Sequence, residues 1–130
     1  MSAPPPVESL EDVRARHAQR FWGASADAAD AACWLPSLIL THGLLATLVF
    51  AKSRGGASRA VMLEVCRFLC EPERAVLPSP SGKQESDDEL DPYIRLLTDG
   101  PDATSLRLRR ATAEAVAYLV ALRHLAPKTP

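Results

Sequence analysis

Aromatic side chains are scarce in this chain: they make up 5% of 130 residues, while apolar residues reach 47%. Alanine and leucine supply most of that apolar content. The balance favours helix over sheet, since strands draw on aromatic and β-branched residues. Net charge is nearly absent as well. Fifteen Lys and Arg against 16 Asp and Glu leave −1 at neutral pH. The chain is therefore no uniformly basic nucleic-acid binder, and any such site has to be a local patch. No apolar run reaches the roughly 20 residues of a membrane span, and no lipidation motif is present. Cysteine is limited to three residues, an odd number. With no secretory signal at the N-terminus, these read as free buried thiols in a reducing compartment, and the expected location is cytoplasmic. The ingredients of catalysis are missing too. His17, His42 and His124 stand apart, and HExxH, GxSxG, P-loop and GxGxxG patterns are absent. Cys66 and Cys70 share a helix face, but no histidine or second cysteine pair stands near to complete a tetrahedral metal site, so they read as packed thiols. Neither catalytic residue, metal nor cofactor is expected.

What is present is a long apolar segment, Leu35–Lys52. From Leu38 to Ala51 only Thr41, His42, Gly43 and Thr47 interrupt it. Strands usually stop at about 8 residues, so the length predicts a helix, with Pro36 in its first turn, where a missing N–H costs nothing. A helix apolar nearly all round belongs in the middle of a bundle and should be the least exposed element. Gly43 costs about 1 kcal/mol inside a helix, and the expected gain is close approach of a neighbouring helix.

The other segments arrange themselves about this one. Residues 1–8, with Pro4-Pro5-Pro6, are expected to be a disordered tail. Ser9 caps a helix, supported by Asp12 three residues on. Leu10, Val13, His17, Phe21, Ala24, Ala28 and Ala31 share one face of it. That helix should run to about Ala32, with Trp34-Leu35-Pro36 turning the chain. A glycine-bearing turn, SRGGAS, precedes a third helix over about Ser58–Cys70, buried through Val61, Met62, Val65, Phe68 and Leu69. Residues 71–89 are polar, acidic and proline-bearing, and read as a flexible linker. Asp91-Pro92 opens a short helix that Gly100 ends. The last helix runs from about 102 or 104 to Ala126, with an apolar stripe of Leu108, Ala111, Ala115, Val116, Leu119, Leu122 and Ala126. The expected fold is all-α: one domain over 9–126, a helical bundle of four to five main helices around the central apolar helix 35–52.

Basic residues gather on the first helix, at the end of the apolar segment and at the start of the last helix, and the acids lie mostly elsewhere. Charges segregated in this way can present one basic face in a neutral protein. The candidate nucleic-acid contacts are Arg16, Arg20, Lys52, Arg54, Arg107 and Arg110. A helix-turn-helix DNA binder is disfavoured, because no short helix pair carries a polar, base-reading second helix. The rival reading is a helical protein–protein adaptor without nucleic-acid contact.

Two segments resemble a known family. WLPSLILTHGLLATLVFAKSR is similar to the central-helix pattern LPxxIxxxGLxxTLxFxxxK of the small subunit of type III-B CRISPR effectors, the Cmr complexes. Leu35, Pro36, Ile39, Gly43, Leu44, Thr47, Leu48, Phe50 and Lys52 match it. RRATAEAVAYLVALRHLA is similar to that family's C-terminal helix through Thr112, Glu114, Tyr118, Leu119, Arg123 and Ala126. An aromatic residue common in the family near Ala121 is lacking, and leucines stand at 106 and 108 where a tyrosine is usual before the Arg-Arg pair. The resemblance implies an all-helical, non-catalytic subunit in antiviral defence. Copies of it would stack in a filament beside the guide-RNA-bearing backbone subunits, line the target-RNA groove and touch the large polymerase-like subunit, with no membrane involved. Contacts to RNA backbone position a strand without reading its sequence, which suits a subunit that leaves specificity to guide pairing.

Overall fold

The Ser9 hydroxyl accepts the Asp12 N–H at 3.1 Å, and the Asp12 carboxylate accepts the Ser9 N–H at 3.4 Å. This reciprocal pair satisfies two of the donors that a helix start leaves open and opens α1, Leu10–Ala24. The computed structural model describes residues 9–24, 28–71, 76–78, 89–98 and 104–126. After α1 come α2 (Ala29–His42), α3 (Leu44–Arg54), α4 (Gly56–Leu69), α5 (Asp91–Thr98) and α6 (Ser105–Leu125). Among the described residues the fold is all helix, as expected, and no helix is long and apolar enough to cross a membrane.

The apolar segment 35–52 is divided where a single helix was expected. Gly43 has φ +93° and closes α2 by donating its N–H to the Ile39 carbonyl at 2.7 Å. Its own carbonyl accepts the Thr47 N–H at 3.2 Å and the Thr47 hydroxyl at 2.8 Å, which starts α3. A Cβ added to Gly43 would meet nothing within 4 Å. The glycine therefore supplies a backbone angle that other residues reach at a cost, rather than the close helix approach expected of it. Gly55, at φ +71°, repeats the device between α3 and α4: its N–H bonds the Ala51 carbonyl, and the Ser58 hydroxyl bonds its carbonyl. Pro36 lies inside α2, not in a first turn, because α2 begins at Ala29 and runs straight through Trp34-Leu35-Pro36. An interior proline costs about 3 kcal/mol. Burial of Pro36 with Ala32, Leu35 and Ile39 opposes that cost. The first helix correspondingly stops at Ala24, earlier than expected.

Two helices each pack against four others: α6 against α1, α2, α3 and α4, and α3 against α2, α4, α5 and α6. The buried face of α6 is the longer. Thr104 caps α6 by accepting the Arg107 N–H at 3.1 Å. Its buried face carries Ala111, Glu114, Ala115, Tyr118, Leu119 and Leu122. Arg14 on α1 meets Glu114, and Trp22 on α1 donates its indole N–H to the Leu122 carbonyl at 2.8 Å. Those contacts are eight residues apart on each helix, so α1 and α6 run side by side in the same direction. The most thoroughly covered helix is α4, with eight of its 14 residues buried, among them Val61, Met62, Val65, Phe68 and Leu69. The 35–52 segment is less covered than expected: Leu40, Val49 and Phe50 are 73%, 54% and 37% exposed. One side of it faces out of the bundle.

Beyond α4, the N–H groups of Val76 and Leu77 both donate to the Leu69 carbonyl, at 3.1 and 3.0 Å, and Leu77 is buried. Part of the expected linker thus docks on the core; residues 72–75 and 79–88, like the expected tail 1–8, lie outside the described residues. Leu90 and Leu97 are buried and seat α5. The cysteines are free, but Cys33 is exposed, a correction to three buried thiols, since it falls on the outer side of α2. Burial pushes the Cys66 thiol far up and Cys70 up to about 11. Both therefore lie far from the thiolate form that ligates metal or attacks.

Candidate nucleic-acid interface

The six candidate cations occupy three places. Lys52 and Arg54 close α3, a helix with no acidic residue, at the end where its dipole favours positive charge. Lys52 is not free. Its ammonium pairs with the Asp91 carboxylate at the start of α5. Arg54 is exposed, and its guanidinium lies 5.5 Å from the Trp34 ring centroid and 5.7 Å from that of Phe50. The two rings meet edge to face, centroids 5.9 Å apart at 81°. Trp34 stands early in α2 and Phe50 late in α3, and the reversal at Gly43 brings them together.

Arg16 and Arg20 lie on α1, Arg16 half-buried and Arg20 exposed. Arg20 lines a cavity of about 380 Å³ with His17, Glu64, Arg67 and Phe68. The third place is the start of α6, where Arg110 is exposed and Arg107 half-buried, its Nη1 buried with no hydrogen-bond partner among the described residues. The parallel register of α1 and α6 sets Arg16 level with residue 116. Arg107 is nine residues before that level, roughly 14 Å along the axis at 1.5 Å per residue. Arg107 and Arg110 thus form one cluster and Arg16 and Arg20 another, while Lys52 and Arg54 belong to the end of α3.

His17 sits on the apolar face of α1 and is buried, its ring edge-on to Phe68 with centroids 5.2 Å apart. Phe68 in turn stands against Tyr118 at 4.0 Å, and the Tyr118 hydroxyl donates to Glu64 at 2.9 Å. Burial raises the Glu64 carboxyl above its ordinary value, with the Tyr118 hydrogen bond opposing. Burial and the Glu64 charge push the Tyr118 phenol up. The folded state therefore holds the Glu64 proton more tightly than the unfolded chain does. Stability from this group is full below the ordinary pKa of 4.5 and falls as pH rises through the folded value. Glu64→Gln keeps an acceptor for Tyr118 without the charge. It should leave stability unchanged near pH 4 and raise it progressively at higher pH, read from urea midpoints across a pH series. A constant difference at all pH values would contradict this.

Reasoning from sequence missed Trp34, Phe50 and Asp91 as members of these sites. The spacing of Phe50 and Arg54, four residues apart on one helix, was a legible sign. The Trp34 and Asp91 contacts depend on where the chain reverses and left no local signal. The family model described as CRISPR-associated protein (Cas_Cmr5) matches residues 9–128. No curated protein and no solved structure matches the chain.

Proposed function

We propose that this chain, which belongs to the CRISPR-associated Cas_Cmr5 family, holds target RNA through its basic residues in an RNA-guided antiviral complex, as a non-catalytic unit. Family membership makes it the small subunit of a CRISPR Cmr complex, associated with other Cmr subunits. The observation that carries the RNA reading is the start of α6. Arg107, Arg109 and Arg110 fall within its first two turns, and no acid stands in the first. A cation in the first turn, here Arg107, opposes the helix dipole by about 0.3–1 kcal/mol, and Arg109 and Arg110 follow in the second turn, where that effect fades. A local rule broken without compensation among the described residues is characteristic of a functional site, and a phosphate chain is the partner that both the dipole and the arginines attract. Arg16, Arg20, Lys52 and Arg54 are the further candidate contacts. Copies stacking in a filament, and contact with the guide-bearing backbone and the large polymerase-like subunit, call for apolar surface as well. Leu40 and Val49 supply it, beside a groove of about 600 Å³ lined by Leu45, Leu108 and Val116. The proposed setting is cytoplasmic.

One isolated copy should bind RNA weakly, at roughly 10⁻⁴–10⁻⁶ M at physiological salt. In the assembled complex the copies act through effective concentration. The test is Arg107→Ala with Arg110→Ala in the reconstituted effector, titrated with matched target RNA at several salt concentrations. Affinity should fall alike for all target sequences, and the salt dependence should flatten by about one unit of slope for each phosphate-bound arginine replaced. Unchanged affinity and slope with normal assembly would show these arginines to be solvated surface. Failure of assembly itself would favour the adaptor reading, in which the basic residues serve protein contacts.

A further inference from the structure

We infer that Trp34 and Phe50, with Arg54 lying across them, form a stacking platform for an unpaired base of single-stranded RNA. The inference rests on the RNA reading above and goes beyond it, since phosphate contacts need no aromatic ring. Of the tryptophans and phenylalanines, Phe21, Trp22 and Phe68 are buried in the core. Trp34 is half-buried and Phe50 is 37% exposed, and these two stand together at the surface. Two nearly perpendicular ring planes make a notch with flat apolar walls. The guanidinium within 6 Å of both centroids supplies a third plane and a charge. Arg54 makes no ion pair among the described residues, and its neighbour Lys52 is the one that Asp91 neutralises. With no acid in α3 itself and no ion pair at Arg54 among the described residues, the guanidinium charge is available to complement a polyanion. Flat rings beside a pinned cation match a base and its phosphate at once: the base stacks, and the guanidinium reaches the backbone. Stacking of this kind tolerates any sequence, because every base has a π face, and is worth roughly five- to hundredfold in affinity per base.

The test uses the free full-length chain and two oligomers of equal length, a short oligoadenylate and its abasic ribose-phosphate counterpart. Trp22 is buried and bonded to the Leu122 carbonyl, so quenching of tryptophan emission by RNA reports Trp34. The oligoadenylate should quench emission saturably and bind at least fivefold more tightly than the abasic chain. Phe50→Leu should erase most of that difference and leave abasic binding and the far-UV spectrum unchanged. Trp34→Leu should abolish the quenching. Equal binding of the two oligomers without quenching would overturn the platform and leave phosphate contacts standing. If neither oligomer binds and Arg54→Ala leaves the RNA affinity of the assembled effector unaltered, the platform and the Arg54 phosphate contact both fall. Should Trp34→Leu bind both oligomers as the parent does but fail to enter the effector, a protein surface occupies the platform and the inference is wrong.

Discussion

Leu48→Asp should leave the chain unfolded at room temperature, whereas Val49→Asp, one residue on, should be nearly silent. Leu48 is fully buried in α3 beside Leu44. Losing a buried leucine costs about 2–5 kcal/mol, and a carboxyl with no partner in its place adds about as much again. The whole stability of a domain is about 5–15 kcal/mol, so little or nothing remains. Val49 is 54% exposed, and substitution there should stay within about 0.5 kcal/mol. Urea titration followed by far-UV circular dichroism separates the two. A wild-type transition for Leu48→Asp would mean that α3 presents a different side to the core.

The second large effect is expected between α1 and α6. The Arg14 Nε and Nη2 donate to the two Glu114 oxygens at 2.9 Å each, and only 19% and 8% of the two side chains remain exposed. The carboxylate holds the Arg14 guanidinium above its ordinary pKa. A bidentate pair this covered is poor evidence of net stabilisation, because desolvating both charges offsets their attraction. Breaking it is another matter. Arg14→Met removes the bidentate partner of the buried Glu114 carboxylate and should cost about 3 kcal/mol, the lower end for breaking a buried pair, because Arg14 keeps some water and Glu114 keeps a further contact. Arg14→Met with Glu114→Met should recover most of that loss. Denaturant titration of the four members of this cycle measures the coupling. A coupling near zero would mean that the pair is solvated and that other contacts hold the helices together.

Much of the fold was legible because its signals are local. Ser9 and Asp12 announced the first helix, the spacing of Ala111, Ala115, Leu119 and Leu122 marked the buried face of α6, and Val61, Val65 and Phe68 that of α4. What stayed hidden depends on dihedral angles or distant partners. The break at Gly43 was hidden because a glycine inside an apolar run is read as a modest cost, while its positive φ here ends one helix and begins another. Pro36 fits a first turn equally well on paper; only the start of α2 at Ala29 shows it to be interior. Leu77 ends the short apolar run Ala75-Val76-Leu77 in a polar stretch, too short to show a period, yet it is buried. At the candidate site the cations were legible as cations. Their partners were not, since Lys52 and Asp91 are joined across a long intervening segment. The family resemblance rested on the pattern around Gly43 and on the α6 helix, and the match over residues 9–128 agrees with it.

The side-by-side course of α1 and α6 sets an order of events during synthesis. Arg14 and Trp22 meet partners one hundred positions later, Glu114 and Leu122. A ribosome adding about 5–20 residues per second needs roughly 5–20 s to make that span. Throughout it, Val13, Phe21 and Trp22 have no α6 to pack against. Contacts so distant along the chain also slow folding, since the loop must close before any stabilisation is realised. The nascent α1 therefore needs shelter for its apolar face until α6 has been made.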